Sequence, residues 1–211
     1  MTDQLPDYPD FGDDFSPEYS TGLFLEILNE QEEVVIEEDR IRLVCEKILT
    51  DAAIVSGRIG IVIVDNDTIH DLNRDFLQHD YPTDVISFQV ESDPEKGLLE
   101  GEIIASAEMA QERAPEFEWS VKEELVLYII HGLLHLVGYD DITAEDRKII
   151  REKERFYLRH AGFEPNDLGF SNEVEEDEFL QDDILTMDIS THLEDKGELL
   201  SRLYDENAER N

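Results

Sequence analysis

Residues 22–162 predict a single α+β domain, with one mixed sheet of about four strands packed with about five helices. Three observations predict it. Strand-like apolar runs alternate with segments of helical spacing along the whole stretch. The run 57–64 is β-branched and continuous, as a strand buried on both faces is. The segment 123–130 ends in the unbroken apolar run Leu125-Val-Leu-Tyr-Ile-Ile130, which marks a helix buried at the centre of the domain.

The elements follow in order. Residues 23–28 are apolar in nearly every place and read as the first strand. Over 37–53 the residues Ile41, Val44, Cys45, Ile48 and Leu49 fall on one helical face, and Glu37, Glu38 and Asp39 suit its positive N-terminus. The strand 57–64 ends at the turn Asp65-Asn66-Asp67, after which Thr68 is placed to cap a helix to about Leu77. Pro82 forces an extended or turned entry to a strand at 85–90, and the polar turn 92–97 pairs it as a hairpin with 99–105. Ser106 or Ala107 opens a helix that stops before Pro115. Ser120 followed by Glu123 is a capping box for the central helix. Thr143, with Asp146 three residues on, opens a last helix to about His160, closed by Gly162.

The flanks differ in kind. Residues 1–21 hold six acids and no base, without periodicity, and are expected to be disordered or loosely docked. Residues 163–211 hold sixteen acids and three bases and read as a mostly flexible tail. Within it, 172–183 is an acidic run around Phe179 and Leu180, and 197–204 has the pattern of a short amphipathic helix. A partner-binding segment is the alternative reading of this tail. Of the formal charge of −37, the central 22–162 carries −18, so acidity is not confined to the flanks. A chain of that charge is expected to repel nucleic acid, whose binding relies on Lys and Arg displacing counterions. The single cysteine, Cys45, excludes an internal disulfide and reads as core on an apolar helix face, in a reducing cytoplasm. No signal peptide and no membrane span are expected, so the protein is predicted to be soluble.

The chemistry concentrates at the end of the central helix, in His131-Gly-Leu-Leu-His135-Leu-Val-Gly138-Tyr139-Asp140-Asp141. Histidines four apart share a helix face, one turn above the other, and can reach a single metal ion. Gly138 supplies a left-handed stop, and the turn it makes can return Asp140 or Asp141 to the rings as a third ligand. A packed, capping histidine pair is the bland alternative. The Gly-x-Asp-Asp turn argues against it. The spacing also resembles metalloprotease sites, but those carry a glutamate after the first histidine as general base, and here that position is Gly132.

Three blocks resemble the YbeY family of metal-dependent endoribonucleases and ribosomal RNA maturation factors. They are Leu72-Asn73 with Pro82-Thr-Asp-Val-Ile-Ser-Phe88, then Gly101-Glu-Ile103, then His131-Gly-Leu-Leu-His-Leu-Val-Gly-Tyr-Asp140. The resemblance implies a four-stranded sheet surrounded by helices and one zinc or similar transition-metal ion per chain. It also implies single-strand-specific cutting of RNA in maturing the 3′ end of 16S ribosomal RNA, and a part in ribosome biogenesis and quality control. Implied partners are ribosomal RNA and the small ribosomal subunit or its proteins, with no membrane and no DNA.

Two positions depart from the family's pattern. Where the family has a third histidine ligand this chain has Asp141, so the ligand set implied is His131, His135 and Asp141. Aspartate binds zinc through oxygen, but a carboxylate leaves the ion less positive and a poorer acidifier of bound water. Where the family commonly has an arginine, this chain has Leu77. Asp140 is the candidate base, or a partner orienting the His135 ring. Ser87 and Asp84 are candidates to hydrogen-bond substrate or brace the fold, and Thr83 and Asp84 equally suit a turn.

For RNA, Arg147, Arg151, Arg155 and Arg159 recur every four residues as one stripe along the last helix. Either they form a phosphate track, with Arg147, Arg151 and Arg155 as RNA contacts, or Glu152 and Glu154 neutralise them as surface pairs. A non-catalytic assembly factor, docking through its acidic surface to basic ribosomal proteins, is the alternative to an enzyme.

Overall fold

The computed structural model describes residues 22–166, the strand at 185–188 and Leu199. The expectations for 1–21, and for 172–183 and 197–204 apart from Leu199, lie outside the described residues. The elements run β1 (Leu23–Asn29), α1 (Glu38–Asp51), β2 (Ser56–Val64), α2 (Asn66–Leu77), β3 (Val85–Asp93) and β4 (Leu98–Ser106). After these come α3 (Ala107–Arg113), α4 (Val121–Leu136), α5 (Ala144–His160) and β5 (Leu185–Asp188). A single 3-10 turn at Ala114–Phe117 joins α3 to α4 and takes up Pro115.

The sheet has the order β1-β2-β4-β3-β5. β1, β2 and β4 are mutually parallel, while β3 returns antiparallel on β4 as the expected hairpin. The α+β domain with a mixed sheet is the fold expected, and β5 adds a strand from the tail. Its backbone pairs parallel to β3, Leu185 level with Ile86 and Asp188 with Gln89. Leu199 is also fully buried. At these residues the tail is part of the fold rather than a solvated extension.

The period-two pattern divides the strands between two cores. Ile59, Ile61 and Ile63 of β2, with Val85, Leu99 and Ile103, face the larger core against α1, α4 and α5. Val62, Val64, Ile86, Phe88 and Ile104 face the smaller one under α2. Cys45 lies fully in the larger core, where burial pushes its thiol up to about 12, and so it is packing rather than a nucleophile. Helix starts follow side-chain caps. Ser120 accepts from Glu123 N and Thr143 from Asp146 N. The cap of α2 is Asp65, which accepts from Thr68 N, not Thr68 itself; the helix begins three residues earlier than expected. Among the described residues no helix is long and apolar enough to cross a membrane.

α4 lies close on the sheet because Gly132 has no side chain. A Cβ there would sit 3.0 Å from Ile103 Cγ2 and 3.2 Å from Val85 Cγ2. The helix also buries two acids. Glu124 is 3% exposed, its Oε2 has no hydrogen-bond partner among the described residues, and burial pushes its carboxyl up to about 7. Contacts with Tyr128 and Trp119 offset part of that rise, and the nearby charge of Asp84 adds to it.

A pH dependence follows. The folded carboxyl holds its proton more tightly than the unfolded one, so stability falls as pH rises from about 4.5 to about 7 and stays low above. The loss is at most on the order of 3 kcal/mol. Glu124→Gln should remove most of this slope, and Glu123, also raised by burial, should leave a remainder. Denaturant unfolding of both proteins at pH 5 and pH 8 checks it. Equal slopes would mean that Glu124 is hydrated in the folded state.

Candidate metal centre

The last two turns of α4 carry His131 and His135 on one face, and the His131 ring meets α5 through Glu154. His131 is 3% exposed. The two Nε2 atoms face each other at 2.7 Å, and each lies 3.7 Å from Asp141 Oδ2. One ligand atom from each of these three residues falls within 4.8 Å of the others.

Asp141 reaches the rings because the helix stops in time. After Val137, Gly138 adopts φ 97°, a left-handed conformation that costs glycine little, and nothing lies near where a Cβ would be. Gly138 N donates to His135 O and Tyr139 N to Leu134 O, which closes the helix end. Two contacts then fix the ligand loop. Asp140 Oδ1 accepts from Asp141 N and Ile142 N. Arg147 Nη1 donates to the carbonyls of Asp141 and Ile142, at 3.0 and 2.8 Å.

The tautomer of His131 is set from behind. Its Nδ1 meets Glu154 Oε1, a fully buried carboxylate that also accepts from Arg151 Nη1 at 3.0 Å. Burial alone would push the Glu154 carboxyl up, but the charge of Arg151 and the hydrogen bonds from His131 and Arg151 outweigh it and hold it below the ordinary range. An ionised carboxylate only accepts, so Nδ1 carries the proton and Nε2 presents a lone pair toward His135 and Asp141. This is how a metal-ligating histidine is usually braced. Two imidazole nitrogens and a carboxylate oxygen, converging with a fixed tautomer, suit a divalent transition ion, and three protein donors leave a position open.

Glu154 is the residue that sequence reasoning missed, having placed it on the surface beside the arginines. A signal was there. Ile150, Glu154, Tyr157 and Leu158 fall at i, i+4, i+7 and i+8 on the buried face of α5, so the glutamate stands in an apolar stripe. The orienting partner expected of Asp140 toward His135 is thus found instead at His131, from α5; Asp140 is exposed and holds the loop backbone. Ser87 is fully buried in β3, opposite Ile103. Asp84 accepts from Val85 N and from Thr83 Oγ1, the turn role. Leu77 packs against the smaller core under α2. Of the arginine stripe, Arg147 braces the ligand loop and Arg151 pairs with Glu154, with its own side chain still half exposed.

Residues 26–162 match the family model described as Endoribonuclease YbeY. The Endoribonuclease YbeY of Rhodopirellula baltica is 46% identical over 133 residues, covering 60% of this chain and 66% of that one. That of Salinibacter ruber is 35% identical, covering 67% and 93%, and that of Carboxydothermus hydrogenoformans is 37% identical, covering 66% and 98%. Among solved structures, the solution structure of TM1509 from Thermotoga maritima superposes with a TM-score of 0.50 at 30% identity. It covers 65% of this chain and 88% of that one.

Proposed function

The chain belongs to the YbeY family of endoribonucleases, and from that premise we propose that it cuts single-stranded RNA at the His131–His135–Asp141 centre. The observation that carries the proposal is the convergence of three ligand atoms, all within 4.8 Å of one another. The metal is proposed to be zinc, one per chain, supplying a polarised phosphoryl oxygen, an acidified water, or both.

The chain's own residues supply the rest. His131 and His135 would hold the ion through their imidazoles, and Asp141 would hold it through its carboxylate. Glu154 keeps the His131 lone pair aimed. Asp140, exposed beside Asp141, suits proton transfer only through Oδ2, since Oδ1 holds the loop. Arg147, Arg151 and Arg155 run along α5 beside the centre and are proposed to meet phosphates, with Arg151 best placed. Ribosomal RNA, matured at the 3′ end of the 16S molecule, is the proposed substrate, with the small subunit or its proteins as partners, in the cytoplasm. The wider role is in ribosome biogenesis and quality control.

Cleavage of a short single-stranded RNA by the purified chain should stop on adding a chelator and return with zinc, while the same sequence as DNA stays whole. One observation favours a second reading. Leu77 is aliphatic and packs against the smaller core, so this position offers no cation to a phosphate, and a factor that docks to basic ribosomal proteins without cutting needs none. An intact RNA under all these conditions would favour that reading.

A further inference from the structure

We propose that the stacked rings of His79 and Tyr81 form a platform for a nucleobase of single-stranded RNA at the rim of the metal centre. This rests on the RNA-cutting reading and names the contact by which this chain holds such a substrate. The need for it comes from charge. Residues 22–162 carry −18, which opposes a grip on phosphates. The two arginines nearest the ligands divide their donors, Arg147 with loop carbonyls and Arg151 with Glu154, so their grip on phosphate is only partial. A single strand can instead be held by its bases, since every base has a flat face that stacks on an aromatic ring.

The loop between α2 and β3 offers such a face. The two rings lie nearly parallel, with centroids 5.5 Å apart and planes 11° from each other. Tyr81 is 38% exposed and belongs to neither apolar core, so the pair lies at the surface rather than packed inside.

The platform is also rigid. Gln78 ends α2 in a left-handed conformation, at φ 63°. Asn73, wholly buried, then ties both ends of the loop to α2: its carbonyl accepts from His79 N and its Nδ2 donates to Tyr81 O at 2.8 Å. His70 Nε2 meets Asp80 Oδ1 at 2.9 Å between them. A ring held in place by its backbone loses little freedom when a base lands on it.

Its location fits. Three residues after Tyr81 comes Asp84, a reach of at most about 10 Å. Asp84 lies within the electrostatic reach of Arg151, which pairs with the carboxylate behind His131. The next residue, Val85, packs where α4 carries Gly132, the neighbour of His131. One strand can therefore rest a base on Tyr81 while presenting a phosphate to the metal centre.

The test is the affinity of a labelled short single-stranded RNA for the full chain, at low and high salt, for wild type, Tyr81→Ala, Tyr81→Leu and Tyr81→Phe. The alanine variant should bind roughly tenfold or more weakly, and the loss should persist at high salt, because stacking releases no counterions. Leucine should behave like alanine while keeping apolar cover over His79, which guards against an unfolding artefact. Phenylalanine should bind within about twofold of wild type, and an RNA duplex should be indifferent to all three. Wild-type affinity in the alanine variant, or an equal loss in the phenylalanine variant, would overturn the platform. Cleavage is read separately. Stacking-dependent binding without cutting would leave the platform standing and overturn the nuclease, whereas cutting with an indifferent Tyr81 does the reverse. A wild-type chain without affinity for single strands would overturn both.

Discussion

The double variant His131→Ala/His135→Ala should bind no transition metal, and its RNA cleavage should fall by at least about a thousandfold. The first outcome follows from geometry. With both Nε2 atoms gone, Asp141 alone remains of the three converging donors. The second follows from what an ion contributes at an open site, several kcal/mol of charge stabilisation, and each 1.36 kcal/mol is tenfold in rate. Elemental analysis and a cleavage time course check both. The fold should persist, because the helix that carries the pair is anchored upstream by Leu125, Val126, Ile129 and Ile130, all in the larger core. Thermal unfolding supplies the control. A chelator should lower the midpoint of metal-loaded wild type by mass action and leave the variant unmoved. Two single changes then separate the neighbouring acids. Asp141→Asn should weaken metal binding, whereas Asp140→Asn should retain it, since Asp140 faces the loop backbone. Equal metal in wild type and the double variant would remove these residues from the ligand set.

What the sequence made legible, and what it hid, divides on whether the deciding contact is local. His131, His135 and Gly138 lie within eight positions, and helix geometry alone predicts that the rings share a face and that the chain then turns. β2 was legible for a similar reason: a run rich in Ile and Val suits burial on both faces, and the structure buries Ile59 to Val64 throughout. Glu154 was hidden because its partner is 23 residues away on another helix. A charged side chain in an apolar stripe is ambiguous until something is packed against it. β5 was hidden more deeply. It has four residues, and what makes them a strand is the open edge of β3 rather than any pattern of their own. The α2 cap was a smaller version of the same limit, since Asp65 and Thr68 are both good caps and the chain used the earlier one.

Glu154→Ala should lower metal affinity by roughly 10- to 100-fold without touching a ligand, as loss of a buried orienting partner does. The cause lies in the tautomer. With Oε1 removed, the His131 proton is no longer held at Nδ1, so in part of the population Nε2 is protonated and cannot ligate. Stability should fall as well, because Arg151 and His131 both lose the carboxylate between them. Breaking a fully buried pair costs about 3–5 kcal/mol, and the cost here should fall below that range, since the Arg151 side chain is 50% exposed and can hydrate. Glu154→Gln separates the two contributions. Its carbonyl can still accept from Nδ1, so metal affinity should fall less than in the alanine variant, while the missing charge leaves Arg151 uncompensated. Glu152→Gln, at an exposed position two residues away, should change neither property. Zinc competition titrations and denaturant unfolding on the four proteins decide it. If the alanine variant holds zinc as tightly as wild type, the His131 ring is fixed by its packing in α4 alone, and the contact from α5 serves stability only.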